Sequence, residues 1–132
     1  MFTEKIQSFS IGIENEGQVF AIPVEKNKPT VLKVLFSAFN IKLKKTIYLL
    51  DFTLYDESEK VTFHNTYNLN PENASFVSKN IFDEYGSSGF QFLFQTTLKA
   101  NTSYRAKLKL ENEATKVLSE NETFFNTTTK DV

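Results

Sequence analysis

Few side chains in this sequence could do chemistry, and their spacing limits what that chemistry would be. One histidine, His64, stands between Phe63 and Asn65 in the run KVTFHNTY. As a general base it would need a nucleophile and an orienting carboxylate. No Gly-x-Ser-x-Gly turn is present to strain a serine into that role. If Val61 and Phe63 face a core, alternation along the strand turns His64 outward. The chain has no cysteine, which excludes disulfides, thiolate chemistry and cysteine-based zinc sites. A metal would rest on oxygen ligands. Asp56, Glu57 and Glu59 crowd one stretch, and Asp83 and Glu84 another. Neither stretch has the spaced ligands and glycine of a calcium loop, so both read as solvated turn acids. Gly86-Ser-Ser-Gly89 lacks the lysine and the strand-to-helix setting of a phosphate loop and reads as a flexible turn. No catalytic residue, metal ligand or cofactor is assigned, and the chain reads as a non-enzyme.

Charge narrows the partners. The 15 basic and 16 acidic residues leave a net charge of −1, so no global field favours nucleic acid or an anionic membrane. Lys42, Lys44 and Lys45 make one local basic cluster. Arg105, Lys107 and Lys109 make another, at the alternating spacing of a solvated strand face. No apolar run approaches the roughly 18–20 residues of a membrane helix. The N-terminal segment MFTEKIQSFS lacks the basic region, apolar core and cleavage site of a secretory signal. The expectation is a cytoplasmic chain, secreted only if a leader precedes this sequence.

These residues must be positioned by strands. The second half of LKANTSYRAKLKL alternates cleanly, with Tyr104, Ala106, Leu108 and Leu110 on one side and Ser103, Arg105, Lys107 and Lys109 on the other. This predicts a central strand with one apolar and one wet face. Phe9, Ile11 and Ile13 alternate in the same way, as do Tyr48, Leu50, Phe52 and Leu54. Residues 30–39 are apolar on nearly both faces and predict a buried strand. Val19 to Val24 predicts a short strand at an edge, because Pro23 cannot donate to a ladder. Residues 46–55 and 60–67 predict a hairpin across Asp56–Glu59, with Val61 and Phe63 inward. Between residues 68 and 89 the pattern gives a loop with one short strand near Ser75–Ser78. Phe90, Phe92 and Phe94 mark a further strand, and a final strand lies within Lys116–Phe125. A polar, frayed tail follows from Asn126. Strands of similar length separated by short polar turns, with no amphipathic helix, predict a single all-β domain. Its expected form is an antiparallel two-sheet sandwich of seven or eight strands.

Leu98, the Ala100-Asn101 turn and Tyr104 resemble the leucine, turn and tyrosine before the sixth strand of fibronectin type III and related immunoglobulin-like sandwiches. In that family the tyrosine hydroxyl reaches back to the backbone ahead of the strand. Phe124-Phe125-Asn126-Thr127 is similar to the family's aromatic-then-threonine close. The family's tryptophan on the second strand is absent, so Phe36 or Phe39 would take its place. The resemblance implies an immunoglobulin-like fold in which the connections at Asn40–Lys45, Ile81–Gly89 and Asn112–Thr115 gather at one end. Lys42, Lys44, Lys45, Phe82, Asp83, Glu84 and Tyr85 then become candidate partner-binding residues.

The leading expectation is a non-catalytic protein-binding or accessory protein, acting through these loops or a sheet edge. The partner would be another protein, or a second copy paired edge to edge, rather than nucleic acid or membrane. Abundant Lys, Asn, Phe and Ile match the usage of a low-GC bacterium or its phage, where such a domain could be an inhibitor or a structural component. The alternative is a carbohydrate- or surface-binding module of a larger secreted protein.

Overall fold

The computed structural model describes residues 4–13, 17–18, 21–42, 46–70, 78–79 and 85–130. Ten strands are present among them: β1 (Lys5–Ile13), β2 (Gly17–Gln18), β3 (Ala21–Val24), β4 (Pro29–Lys42), β5 (Tyr48–Tyr55), β6 (Val61–Leu69), β7 (Ser78–Lys79), β8 (Tyr85–Thr97), β9 (Ser103–Glu111) and β10 (Val117–Thr129). They form two five-stranded sheets, ordered β2-β1-β4-β8-β7 and β3-β10-β9-β5-β6. The fold is all-β, as the alternation predicts, and β9 is central in its sheet. Eight of the strands have four residues or more; β2 and β7 are two-residue edge pieces. Every pairing is antiparallel except one. β3 runs parallel to the end of β10, with Ala21 opposite Asn126 and Val24 opposite Thr129. Pro23 lies on this edge strand, where its missing N–H costs no ladder bond.

One core fills the space between the sheets. From the first come Ile11, Leu32, Val34, Phe36, Ala38 and Phe94, and from the second Leu50, Phe52, Leu54, Tyr104, Ala106, Leu108 and Leu110. Phe52 is at its centre, fully buried. Its ring centroid lies 4.9 Å from Phe94, 5.6 Å from Phe92, 6.1 Å from Phe63 and 6.4 Å from Phe9. The offset and edge-on geometries are those that aromatic quadrupoles favour. Of the two candidates for the tryptophan position, Phe36 is buried and stacks on Phe90 at 5.3 Å, whereas Phe39 is exposed.

Two hairpins share one construction. In the β5–β6 turn, Asp56 Oδ1 accepts the N–H groups of Ser58 and Lys60 at 2.8 and 3.1 Å, and Glu59 adopts a φ of 61°. In the β9–β10 turn, Asn112 Oδ1 accepts those of Ala114 and Lys116 at 3.0 and 2.9 Å, and Thr115 adopts a φ of 62°. A short acceptor side chain at the first position substitutes for backbone partners that the tight turn cannot supply.

Five expectations are corrected. Gly86-Ser-Ser-Gly89 is not a turn but part of β8, paired to β4 from Ile41↔Gly86 to Ser37↔Gly89. The long partner strand satisfies its backbone, and Ser87 Oγ accepts the Asn40 N–H at 3.3 Å where a bulge interrupts the ladder. Val61 is 54 % exposed rather than inward, because a register shift beside Tyr55 separates it from the alternation that leaves Phe63 against the core. Residues 30–39 bury only one face; Val31 and Phe39, on the other, are exposed. The stretch from Asn126 is not frayed: β10 continues to Thr129 because β3 supplies a partner, and Thr127 is buried. The sheet that holds β3 and β10 is therefore not purely antiparallel. The predicted strand near Ser75–Ser78 lies outside the described residues except for Ser78, which opens β7.

Candidate binding face

The two sheets present opposite outer surfaces. β5, β9 and β10 carry a charged face whose members pair with one another. Arg105 bonds Glu122 at 3.0 Å, bonds Glu59, and lies 4.1 Å from the Tyr55 ring centroid. Glu59 leads the causes that raise the Arg105 pKa. Lys107 reaches Glu120 at 3.7 Å. The basic stripe of β9 is thus matched by carboxylates from β10 and the β5–β6 turn. His64 is exposed, and its Nε2 is 2.8 Å from Asp51 Oδ1. This carboxylate orients the ring on an open sheet surface. Glu57, another of the turn acids, accepts the Ser103 N–H at 2.7 Å. Among the described residues no group of three or more His, Asp or Glu is close enough to hold a metal.

The outer face of the other sheet is built differently. β1, β4 and β8 contain no Asp or Glu at all. Their outward positions include Lys5, Ser8, Ser10, Lys33, Leu35, Ser37, Phe39, Lys42, Gly89, Gln91 and Leu93, so the only charges on this face are basic. Ser8 Oγ and Ser37 Oγ share a hydrogen bond at 2.6 Å. Gly89 leaves a shallow depression of about 320 Å³ between Ser37, Leu35 and Gln91. A Cβ added there would meet only the Phe36 carbonyl oxygen, at 4.0 Å.

Of the residues singled out from sequence, Lys42 and Tyr85 are described, and they are register partners at the end of the β4–β8 pairing. Alternation places both on the same side of the sheet as Phe39, opposite the buried Ile41 and Gly86. Lys44, Lys45, Phe82, Asp83 and Glu84 lie outside the described residues. Around Lys42 the end of the molecule is knitted together. The Lys42 N–H donates to Tyr48 Oη at 2.7 Å, and the Tyr48 hydroxyl donates to Glu4 Oε1 at 3.4 Å. Burial pushes the Tyr48 phenol up to about 12. The Ile47 N–H donates to Glu113 Oε1 at 3.1 Å, tying the β4–β5 connection to the β9–β10 turn. The described parts of these connections therefore meet at one end. The carboxylate-free face beyond Lys42 and Tyr85 was missed from sequence. Its signal was present in the absence of carboxylates from three long strands.

No protein-family model matches the chain, and no curated protein matches it. Solved structures do. A putative β-galactosidase from Bacteroides fragilis superposes with a TM-score of 0.62 at 14 % identity, over 93 % of this chain and 17 % of that one. A glycosyl hydrolase family 2 member from Bacteroides cellulosilyticus gives a TM-score of 0.64 at 11 % identity, over 93 % and 14 %. A β-glucuronidase from Bacteroides uniformis gives 0.60 at 12 % identity, over 92 % and 14 %. The shared property is the fold. The chain spans only 14–17 % of the length of these three proteins.

Proposed function

We propose that the chain is a non-catalytic, immunoglobulin-like accessory module that binds carbohydrate on the outer face of β1, β4 and β8. The immunoglobulin-like reading is supported by two features. The Tyr104 hydroxyl accepts the Lys99 N–H at 2.9 Å, the corner that the family resemblance implies. The chain also passes from β1 in one sheet to β3 in the other before entering β4.

The observation that carries the carbohydrate reading is the likeness, over nearly the whole chain, to one part of several glycosidases. The chemistry of the face agrees with it. Serine hydroxyls and the Gln91 amide can exchange hydrogen bonds with sugar hydroxyls, and the aromatic side chains of Phe39 and Tyr85 lie on the same face. The face carries no carboxylate, and its lysines can donate hydrogen bonds to sugar hydroxyls. The protein-binding reading through the loops beside Lys42 and Tyr85 is the second proposal, favoured by the gathering of those connections at one end.

A neutral-oligosaccharide array followed by NMR titration of the best hit tests this. Amide shifts confined to β1, β4 and β8, lost in Gln91→Ala, in Tyr85→Ala and in the depression-filling Gly89→Leu, are expected. Absence of any oligosaccharide hit, or shifts unaffected by these three variants, would overturn the carbohydrate reading.

A further inference from the structure

A cavity of about 580 Å³ lies at the opposite end of the molecule, between the β3–β4 turn and the β8–β9 connection. Val24, Leu98 and Ala100 line it with apolar surface, and Lys26 and Lys99 line it with charge. Val24 and Leu98 are buried members of the core, so the cavity is floored by the core itself.

Both lysines project from fixed backbone. The Lys99 N–H donates to Tyr104 Oη, and its carbonyl accepts the Thr127 hydroxyl. Lys26 sits in a tight turn that Asn27 closes with a φ of 62°, a conformation asparagine tolerates. Neither lysine has a carboxylate partner among the described residues. Glu25 is already engaged by Lys28 at 2.7 Å and Lys130 at 3.5 Å, and Glu57, on the β5–β6 turn near Tyr104, accepts the Ser103 N–H. The lysines that line the cavity are therefore claimed by neither acid.

We infer that this cavity binds a small monoanion with an apolar body, a carboxylate carried on an aromatic or branched aliphatic group. The anion lies between Lys26 and Lys99, and the apolar body enters against Leu98, Val24 and Ala100. A bare inorganic anion would leave the apolar floor uncovered. A neutral apolar molecule would leave two ammonium groups uncompensated beside it. The corner at Tyr104 acts here as a positioning element, holding the Lys99 backbone at the cavity mouth. This site is separate from the proposed carbohydrate face on β1, β4 and β8.

The test is NMR titration of the labelled full chain with three probes: phenylacetate, its neutral twin phenylacetamide, and sulfate. Phenylacetate is expected to move the amides of Asn27, Leu98, Lys99 and Ala100 saturably. Phenylacetamide should bind at least about tenfold more weakly, the loss that follows from one missing charge-assisted contact. The double variant Lys26→Gln, Lys99→Gln should weaken phenylacetate by a similar factor. Ala100→Leu should block entry, its fold checked by an unchanged circular-dichroism spectrum. The lysine variant alters only exposed side chains and keeps the test open if Ala100→Leu does not fold. No saturable shift with phenylacetate, equal response to phenylacetate and phenylacetamide, or equal response to phenylacetate and sulfate would each overturn the inference.

Discussion

The Tyr104 hydroxyl accepts the backbone N–H of Lys99 at 2.9 Å, closing a loop of five residues onto the start of β9. The phenol is otherwise enclosed, with Tyr104 only 2 % exposed and its ring stacked on Phe125 at 5.4 Å. The bond thus satisfies a hydroxyl that would be costly to bury alone. It also fixes the segment between β8 and β9, which a five-residue connection cannot do by packing.

Tyr104→Phe keeps the ring and removes only this bond. It is expected to lower stability by about 1 kcal/mol, the usual worth of such a hydrogen bond. Urea unfolding with an unchanged slope would check it. A loss well below about 0.5 kcal/mol would show that the corner contributes nothing beyond its ring.

Alkaline pH should destabilise the fold through Tyr48. Burial raises its pKa from 10.0 to about 12. The folded chain therefore holds the phenolic proton more tightly than the unfolded chain. The resulting stability is fully present below pH 10 and is lost as the pH rises through about 12. Burial raises the Tyr104 phenol as well, so the two tyrosines act in the same direction. Urea midpoints measured across this range should fall with pH, and Tyr48→Phe should flatten the fall.

Thr115 is a β-branched residue held at a φ of 62°. Such a backbone is costly for any L-residue and worst for a branched one. Thr115→Asn should raise stability by about 1 kcal/mol, since asparagine adopts this conformation with local hydrogen bonding. That corresponds to a Tm increase of a few degrees in a thermal scan. The equivalent change at Glu59 is a poorer test, because Glu59 also pairs with Arg105.

The aromatic residues divide sharply by position. Phe52→Ala should cost about 3–5 kcal/mol, because four neighbouring rings cannot collapse into the space together. Phe124 is 69 % exposed, and Phe124→Ser should change stability by no more than about 0.5 kcal/mol. Chemical denaturation of both variants would separate the two cases.

What was legible from sequence follows from how local the signal was. Tyr48 to Leu54 and Tyr104 to Leu110 alternate without interruption, and both strands lie as the alternation predicts. Asp56 and Asn112 declared their turns because a short acceptor side chain works within four residues. Val61 was misplaced because the register shift beside Tyr55 depends on the partner strand. Gly86 to Gly89 was misread for a similar reason: small residues suit a turn, yet the distant β4 provides a ladder for them. Asn126 to Thr129 carries no apolar signal, and only β3, far away in the chain, makes it a strand. The carboxylate-free outer face is a property of three strands taken together. No single stretch displays it, although Lys42 and Tyr85 at its end were visible individually.

The parallel pairing of β3 with β10 sets an order of events during synthesis. Ala21 pairs with Asn126, 105 positions later (126 − 21). Until those last residues emerge, β3 has no partner on that side. Closing so long a loop is slow, and an unpaired edge meanwhile invites association with other chains. Pro23, in the middle of β3, presents no N–H on the outer edge, the side away from β10, which stays open after folding. The same residue that confines β3 to the sheet edge also blunts that edge in the finished fold.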